Sequence, residues 1–127
     1  IYHEALKCAR PRGVRVTMQT GAQPDDPFFE GDIVVCTYDQ LLSGFLCGPY
    51  GLPDRLHNIN AAAVAGNLVV FDEFHLMDST RALETAVQCI RLFGSAIRSV
   101  WMTATATDPL CNYLREALGA VEVTLSE

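Results

Sequence analysis

Leu68-Val69-Val70-Phe71 runs straight into Asp72-Glu73, and Phe74-His75-Leu76-Met77-Asp78 follows. A short, unbroken apolar run of this kind is the pattern of a strand buried on both faces, as parallel strands are. In open α/β sheets, ligands bind beyond the carboxyl ends of such strands. Asp72 and Glu73 stand at that end. Acidic residues also end strands where the chain simply leaves the core, and Asp is a good turn or cap residue. What favours a site is a second element downstream, Ser99-Val100-Trp101-Met102-Thr103-Ala104-Thr105. It reads as another apolar strand, over 99–105, ending in hydroxyls at the same edge.

The rest of the chain alternates in the same manner. Residues 1–10 read as the end of a helix stopped by Pro11. Val14-Arg15-Val16-Thr17-Met18 has the period of a strand, and Ile33-Val34-Val35-Cys36-Thr37 that of a second buried one. Asp39 to Leu46 predicts a short helix, and residues 54–65 another that ends at Gly66-Asn67. Leu83, Ala86, Val87, Ile90, Phe93 and Ile97 recur at helical steps, with Asp78 or Ser79 as the cap and Gly94 as an earlier stop. Asp108 as N-cap, Pro109 at the first helical position and Gly119 beyond the last turn bound a further helix. Val121-Glu122-Val123-Thr124-Leu125 predicts a last strand. Strands alternating with helices mean an α/β fold: a parallel sheet with helices on both faces.

Asp72-Glu73-Phe74-His75 resembles the D-E-x-H box (motif II, Walker B) of superfamily 2 helicases, and Thr103-Ala104-Thr105 resembles their motif III. The wording around both, Phe71 to Asp78 and Met102 to Thr107, is similar to the CRISPR-associated type I helicase–nuclease recruited by the Cascade complex. The resemblance implies that residues 1–127 are part of a RecA-like (P-loop NTPase) motor domain 1. It implies ATP and Mg²⁺ as cofactors and single-stranded DNA as substrate. A Cascade-type effector complex would be the partner, with an HD nuclease domain in the same chain or in a separate subunit. Another superfamily 2 motor, such as a restriction-type translocase or an RNA helicase, is the enzymatic alternative. A non-catalytic interaction remnant is the other.

The same resemblance assigns residues. Asp72 would organise Mg²⁺ through water, since a hard cation keeps several waters and one carboxylate plus the phosphates suffices. Glu73 would be the base or water-positioner. His75 would link the nucleotide site to the hydroxyls of Thr103 and Thr105; a plain structural hydrogen bond is the other account of it. His75 and Asp78 are also spaced like two metal ligands, but two without a third make no site. Asp32 to Gln40 resembles motif Ic, in which Thr37 and the start of the next helix, with Gln40, meet a strand of nucleic acid. Thr37-x-x-Gln40 is equally a capping box. Thr20-Gly21 resembles the T-G of motif Ib, with Ala22 where many members have a second glycine.

Composition and absences bound these expectations. No G-x-x-x-x-G-K-[ST] occurs, so the phosphate-cradling loop is missing, as are the arginine motifs of a second motor domain and any paired His-Asp nuclease signature, and the sequence reads as the middle and end of motor domain 1. The chain does not begin with Met and opens in mid-helix, so it reads as an excerpt. Alone it is expected to be inactive on ATP. A net charge of −6 with a single lysine makes it a poor DNA binder by itself, because nonspecific affinity comes largely from basic residues on phosphates. Five cysteines without a C-x-x-C pair argue against a disulfide framework or zinc site and for a reducing cytoplasm. Neither a signal peptide nor a membrane-length apolar stretch is seen.

Overall fold

In the computed structural model, which describes residues 2–49, 51–105 and 107–123, the four apolar runs become four short strands that pair in parallel, two by two. The chain divides into two units, residues 1–65 and 66–127. The architecture is mixed α/β. No helix among the described residues is long and apolar enough to cross a membrane.

In the first unit, α1 (Tyr2–Ala9) passes through a 3-10 turn at Arg10–Arg12 into β1 (Val16–Gln19). β1 pairs with β2 (Ile33–Cys36) in the register Val16 to Ile33 and Gln19 to Cys36. The strands start and stop within a residue or two of the expected bounds, the usual latitude of element ends. α2 (Tyr38–Phe45) follows β2, and α3 (Asn58–Val64) comes after a 3-10 turn at Asp54–Leu56. The helix predicted over 54–65 is therefore split. Leu42, Phe45 and Val64 are buried where α2 meets α3. Gly44 makes that approach possible: a Cβ there would lie 2.9 Å from Asn60 Cβ. Because a Cβ cannot swing aside, Gly44→Val should force the helices apart and cost about 2–3 kcal/mol, read as a lowered thermal midpoint. Asn60 is itself buried, and its Oδ1 has no hydrogen-bond partner among the described residues.

In the second unit, β3 (Leu68–Asp72) pairs with β4 (Arg98–Met102), Phe71 opposite Trp101 and Asp72 opposite Met102. The two facing rings stack with centroids 4.1 Å apart. α4 (Ala82–Phe93) buries the stripe Leu83, Ala86, Val87 and Ile90, as its periodicity requires, and packs on α5 (Asp108–Leu118). Gly94 ends α4. Gly119 ends α5 at φ 64°, a left-handed position that glycine reaches without Cβ strain.

Several expectations need correction here. β3 is not buried on both faces: Val69 and Phe71 are 8% and 6% exposed, whereas Leu68 and Val70 are 55% and 47%. Its open face continues into Val100 and Met102 of β4, which are likewise exposed. The described strands form two pairs, not one sheet. The strand expected over 99–105 stops at Met102. The cap of α4 falls at Arg81, and Asp78 instead holds the turn before it, accepting the Thr80 and Arg81 N–H groups at 2.9 and 3.0 Å. The cap of α5 is Thr107, so Asp108 and Pro109 already lie inside the helix. Val121–Val123 have no strand structure. Thr124 and Leu125 of that predicted strand, and Ala106 beside the Thr-Ala-Thr stretch, lie outside the described residues.

Candidate functional site

Because β3 and β4 run parallel and in register, Asp72 and Thr103 leave the second unit's strand pair at the same end. The chain turns sharply there. Glu73 takes φ 49° and ψ 43°, a left-handed conformation that costs a non-glycine residue about 1–2 kcal/mol. Such outliers persist where the surroundings impose them. Two contacts do so here: the Glu73 N–H donates to Asp72 Oδ1 at 3.1 Å, and Phe74 is buried edge-on against Trp101, with ring centroids 5.8 Å apart. The 3-10 turn Phe74–Leu76 then carries His75 back over the strand ends.

His75 Nδ1 lies 2.6 Å from Thr103 Oγ1 and 3.2 Å from Glu73 Oε2. Thr103 Oγ1 also accepts the Thr105 N–H at 3.1 Å. One ring nitrogen thus faces two oxygens of different chemistry. An ionised carboxylate only accepts, so contact with Glu73 requires a proton on Nδ1. The threonine hydroxyl can accept that proton, or donate its own to the bare nitrogen of the other tautomer. Glu73 and Thr103 therefore compete for His75, and only with the carboxylate moved away can the His–Thr bond run in either direction.

Four of the expected residues are thus gathered: Asp72, Glu73, His75 and Thr103. Thr105 joins only through its backbone, its side chain exposed. Asp78 stays apart from His75 as a ligand, its carboxylate engaged by its own turn. The Thr80 hydroxyl at 2.7 Å, with the Thr80 and Arg81 N–H groups, holds it below the usual carboxylate range. No cluster of three or more His, Cys, Asp or Glu suited to a metal occurs among the described residues. The groove between the starts of α4 and α5, where Tyr113 donates to Glu84 at 2.5 Å, includes none of the four.

The nucleic-acid candidates gather in the first unit. Thr20 and Gly21 follow β1 and Thr37 follows β2, at the same end of a parallel pair. Thr20 closes a tight turn, its hydroxyl and its N–H both bonded to the Gln23 backbone at 3.0 Å. Gly21 has ordinary φ and nothing within 4 Å of a would-be Cβ, so the fold does not require glycine there. Thr37 sits at the N-cap of α2 with extended backbone angles, but its side chain makes no capping bond. The capping-box account is therefore overturned. Gln40 has been drawn elsewhere, its Oε1 accepting from Gln19 Nε2 at 3.4 Å.

Asp26 and Gln19 were not singled out by the sequence, yet they organise this edge. Both are almost wholly buried, at 5% and 3% exposure. Asp26 accepts the Thr17 hydroxyl at 2.6 Å and the Glu30 and Gly31 N–H groups at 2.9 and 2.8 Å. Burial pushes its carboxyl up, but these three bonds and the charge of Arg15 outweigh that and hold it below its ordinary value. Pro24-Asp25-Asp26-Pro27 reads as a plain loop, and only the fold shows which of its two aspartates turns inward.

Compared with family models, curated proteins and solved structures, the chain finds no match.

Proposed function

We propose that these residues are part of the first motor domain of a superfamily 2 DExH helicase, similar to the type I CRISPR-associated enzymes, which couples ATP hydrolysis to translocation on single-stranded DNA. The observation that carries this is the 2.6 Å contact between His75 Nδ1 and Thr103 Oγ1. It joins the two stretches that resemble motifs II and III, at the strand ends that also bear Asp72 and Glu73.

One exposed carboxylate supports the Mg²⁺ part of this reading. Asp72 is exposed, and among the described residues only its Oδ1 is engaged, by the Glu73 N–H. A hard carboxylate oxygen suits Mg²⁺, which would neutralise charge developing on the phosphates. Glu73 would hold and deprotonate the attacking water. When it turns from His75 to that water, Nδ1 is left to Thr103, and the hydroxyl stretch senses the change. ATP itself needs a glycine-rich lysine loop that these residues lack.

The test uses the longer polypeptide this reading implies. Replacing Thr103 and Thr105 by Ala should leave most ATPase activity and impair DNA unwinding, because the hydroxyls report nucleotide state without touching the reacting phosphate. Equal loss of both activities would show that the threonines are merely structural.

A further inference from the structure

An amide side chain presents a donor at one end and an acceptor at the other, so its usefulness to a ligand depends on which way it is turned. Gln19 is the residue at which that direction is decided. Its Oε1 takes the Asp26 N–H at 3.0 Å, and a peptide N–H can only donate. The oxygen end of Gln19 must therefore face Asp26. The Asp26 backbone is itself held in place by the three donors on its carboxylate. It follows that the Nε2 end of Gln19 faces Gln40, 3.4 Å away. Two N–H₂ groups cannot be set against each other, so Gln40 answers with its oxygen. Its Nε2 is left without a partner among the described residues, on a partly buried side chain at the start of α2.

We infer that Gln19 is a positioning residue that fixes the Gln40 amide with its donor end free, to meet a phosphodiester oxygen of single-stranded nucleic acid. The inference rests on the reading of this edge as the nucleic-acid edge. Phosphate carries only acceptors, which matches a free N–H₂ group. Asp39 lies in the same helical turn, and its carboxylate repels an anion, so at this position attraction must come from aimed neutral donors instead of net charge. A reversed Gln40 would present a second repulsive oxygen there.

Gln19→Glu reverses the direction without changing the side chain's shape. With the new carboxyl ionised, which the titration is run at a pH high enough to ensure, one oxygen still accepts the Asp26 N–H, the other cannot donate, and Gln40 must flip to give it an N–H. In the ¹⁵N-labelled chain, the wild-type Gln40 side-chain N–H₂ should exchange freely with solvent. In Gln19→Glu it should become protected and shift. Unchanged Gln40 signals would overturn the inference, whatever happens to binding. The second arm titrates an oligothymidylate of about 12 nucleotides to millimolar concentration, because phosphate contacts are weak one at a time. Gln19→Glu should weaken binding about tenfold, the worth of roughly one hydrogen bond to a charged group. The deficit should persist at raised salt, because an added charge alone is screened. A deficit that vanishes with salt would reduce the effect to charge and sink the inference. If the amide signals respond as expected while wild-type chain shows no binding at all, the nucleic-acid reading falls, and with it the ligand assigned to Gln40.

Discussion

Replacing Glu73 by Gln, in a polypeptide that joins these residues to a phosphate-binding loop, should lower ATP turnover by about two to four orders of magnitude while nucleotide binding stays nearly intact. The substitution keeps the side chain's length and removes its basicity. It also places an N–H₂ group near His75 Nδ1, which the carboxylate now approaches at 3.2 Å. The amide can donate to the bare nitrogen, so the left-handed turn at residue 73 need not collapse. Asp72→Asn should behave differently. It weakens Mg²⁺-nucleotide binding as well as turnover, since a neutral amide oxygen is a poorer partner for a hard cation than a carboxylate. Nucleotide affinity and single-turnover hydrolysis, measured on both variants, separate the two roles. If binding falls equally in both, the division of labour between Asp72 and Glu73 is wrong.

Much of the path to that site is legible in the residues. The apolar run at 68–71 becomes β3, the stripe from Leu83 to Ile90 becomes the buried face of α4, and Gly119 ends α5. Local pattern suffices for these because period and stop residue act within one element. Where another part of the chain decides, pattern misleads. Nothing in Leu68–Phe71 says whether one face or two will be covered. Thr103 looks like a strand residue, but its hydroxyl takes the N–H two residues on and bends the chain out of the ladder. Thr37-x-x-Gln40 has the spacing of a capping box, yet Gln40 is recruited by Gln19 from a different strand. Asp26 could not be told from Asp25 in the sequence, because its three donors come from a strand and from the far end of its own loop.

That buried aspartate sets the largest stability effect expected in the first unit. At Gly31 a Cβ would lie 2.3 Å from Thr17 Oγ1 and 3.1 Å from the Ile33 carbonyl oxygen. The carbonyl belongs to β2 and cannot retreat, so in Gly31→Ala the Thr17 side chain must rotate away. Its hydroxyl then leaves Asp26, and a buried carboxylate loses one of its three donors. Overpacking and the lost charge-assisted bond together should cost about 2–4 kcal/mol, or roughly 10–25 °C in melting temperature for a unit of this size. Gly21→Ala, with open space around it, is the matched control and should stay within about 0.5 kcal/mol of wild type. The pH dependence identifies the carboxylate as the cause. Asp26 titrates below its ordinary value of 3.8 in the fold, so its ionised form stabilises the fold fully above that value and the contribution is lost as pH falls through the depressed one. Asp26→Asn should therefore flatten the acid limb of stability against pH. Gly31→Ala removes the Thr17 bond and leaves burial opposing ionisation, so it should move that limb to higher pH. Denaturant melts at pH 7, 4 and 3 would decide: an acid limb unmoved in both variants would mean that Asp26 does not hold the loop, and that Thr17 and Gly31 merely pack against it.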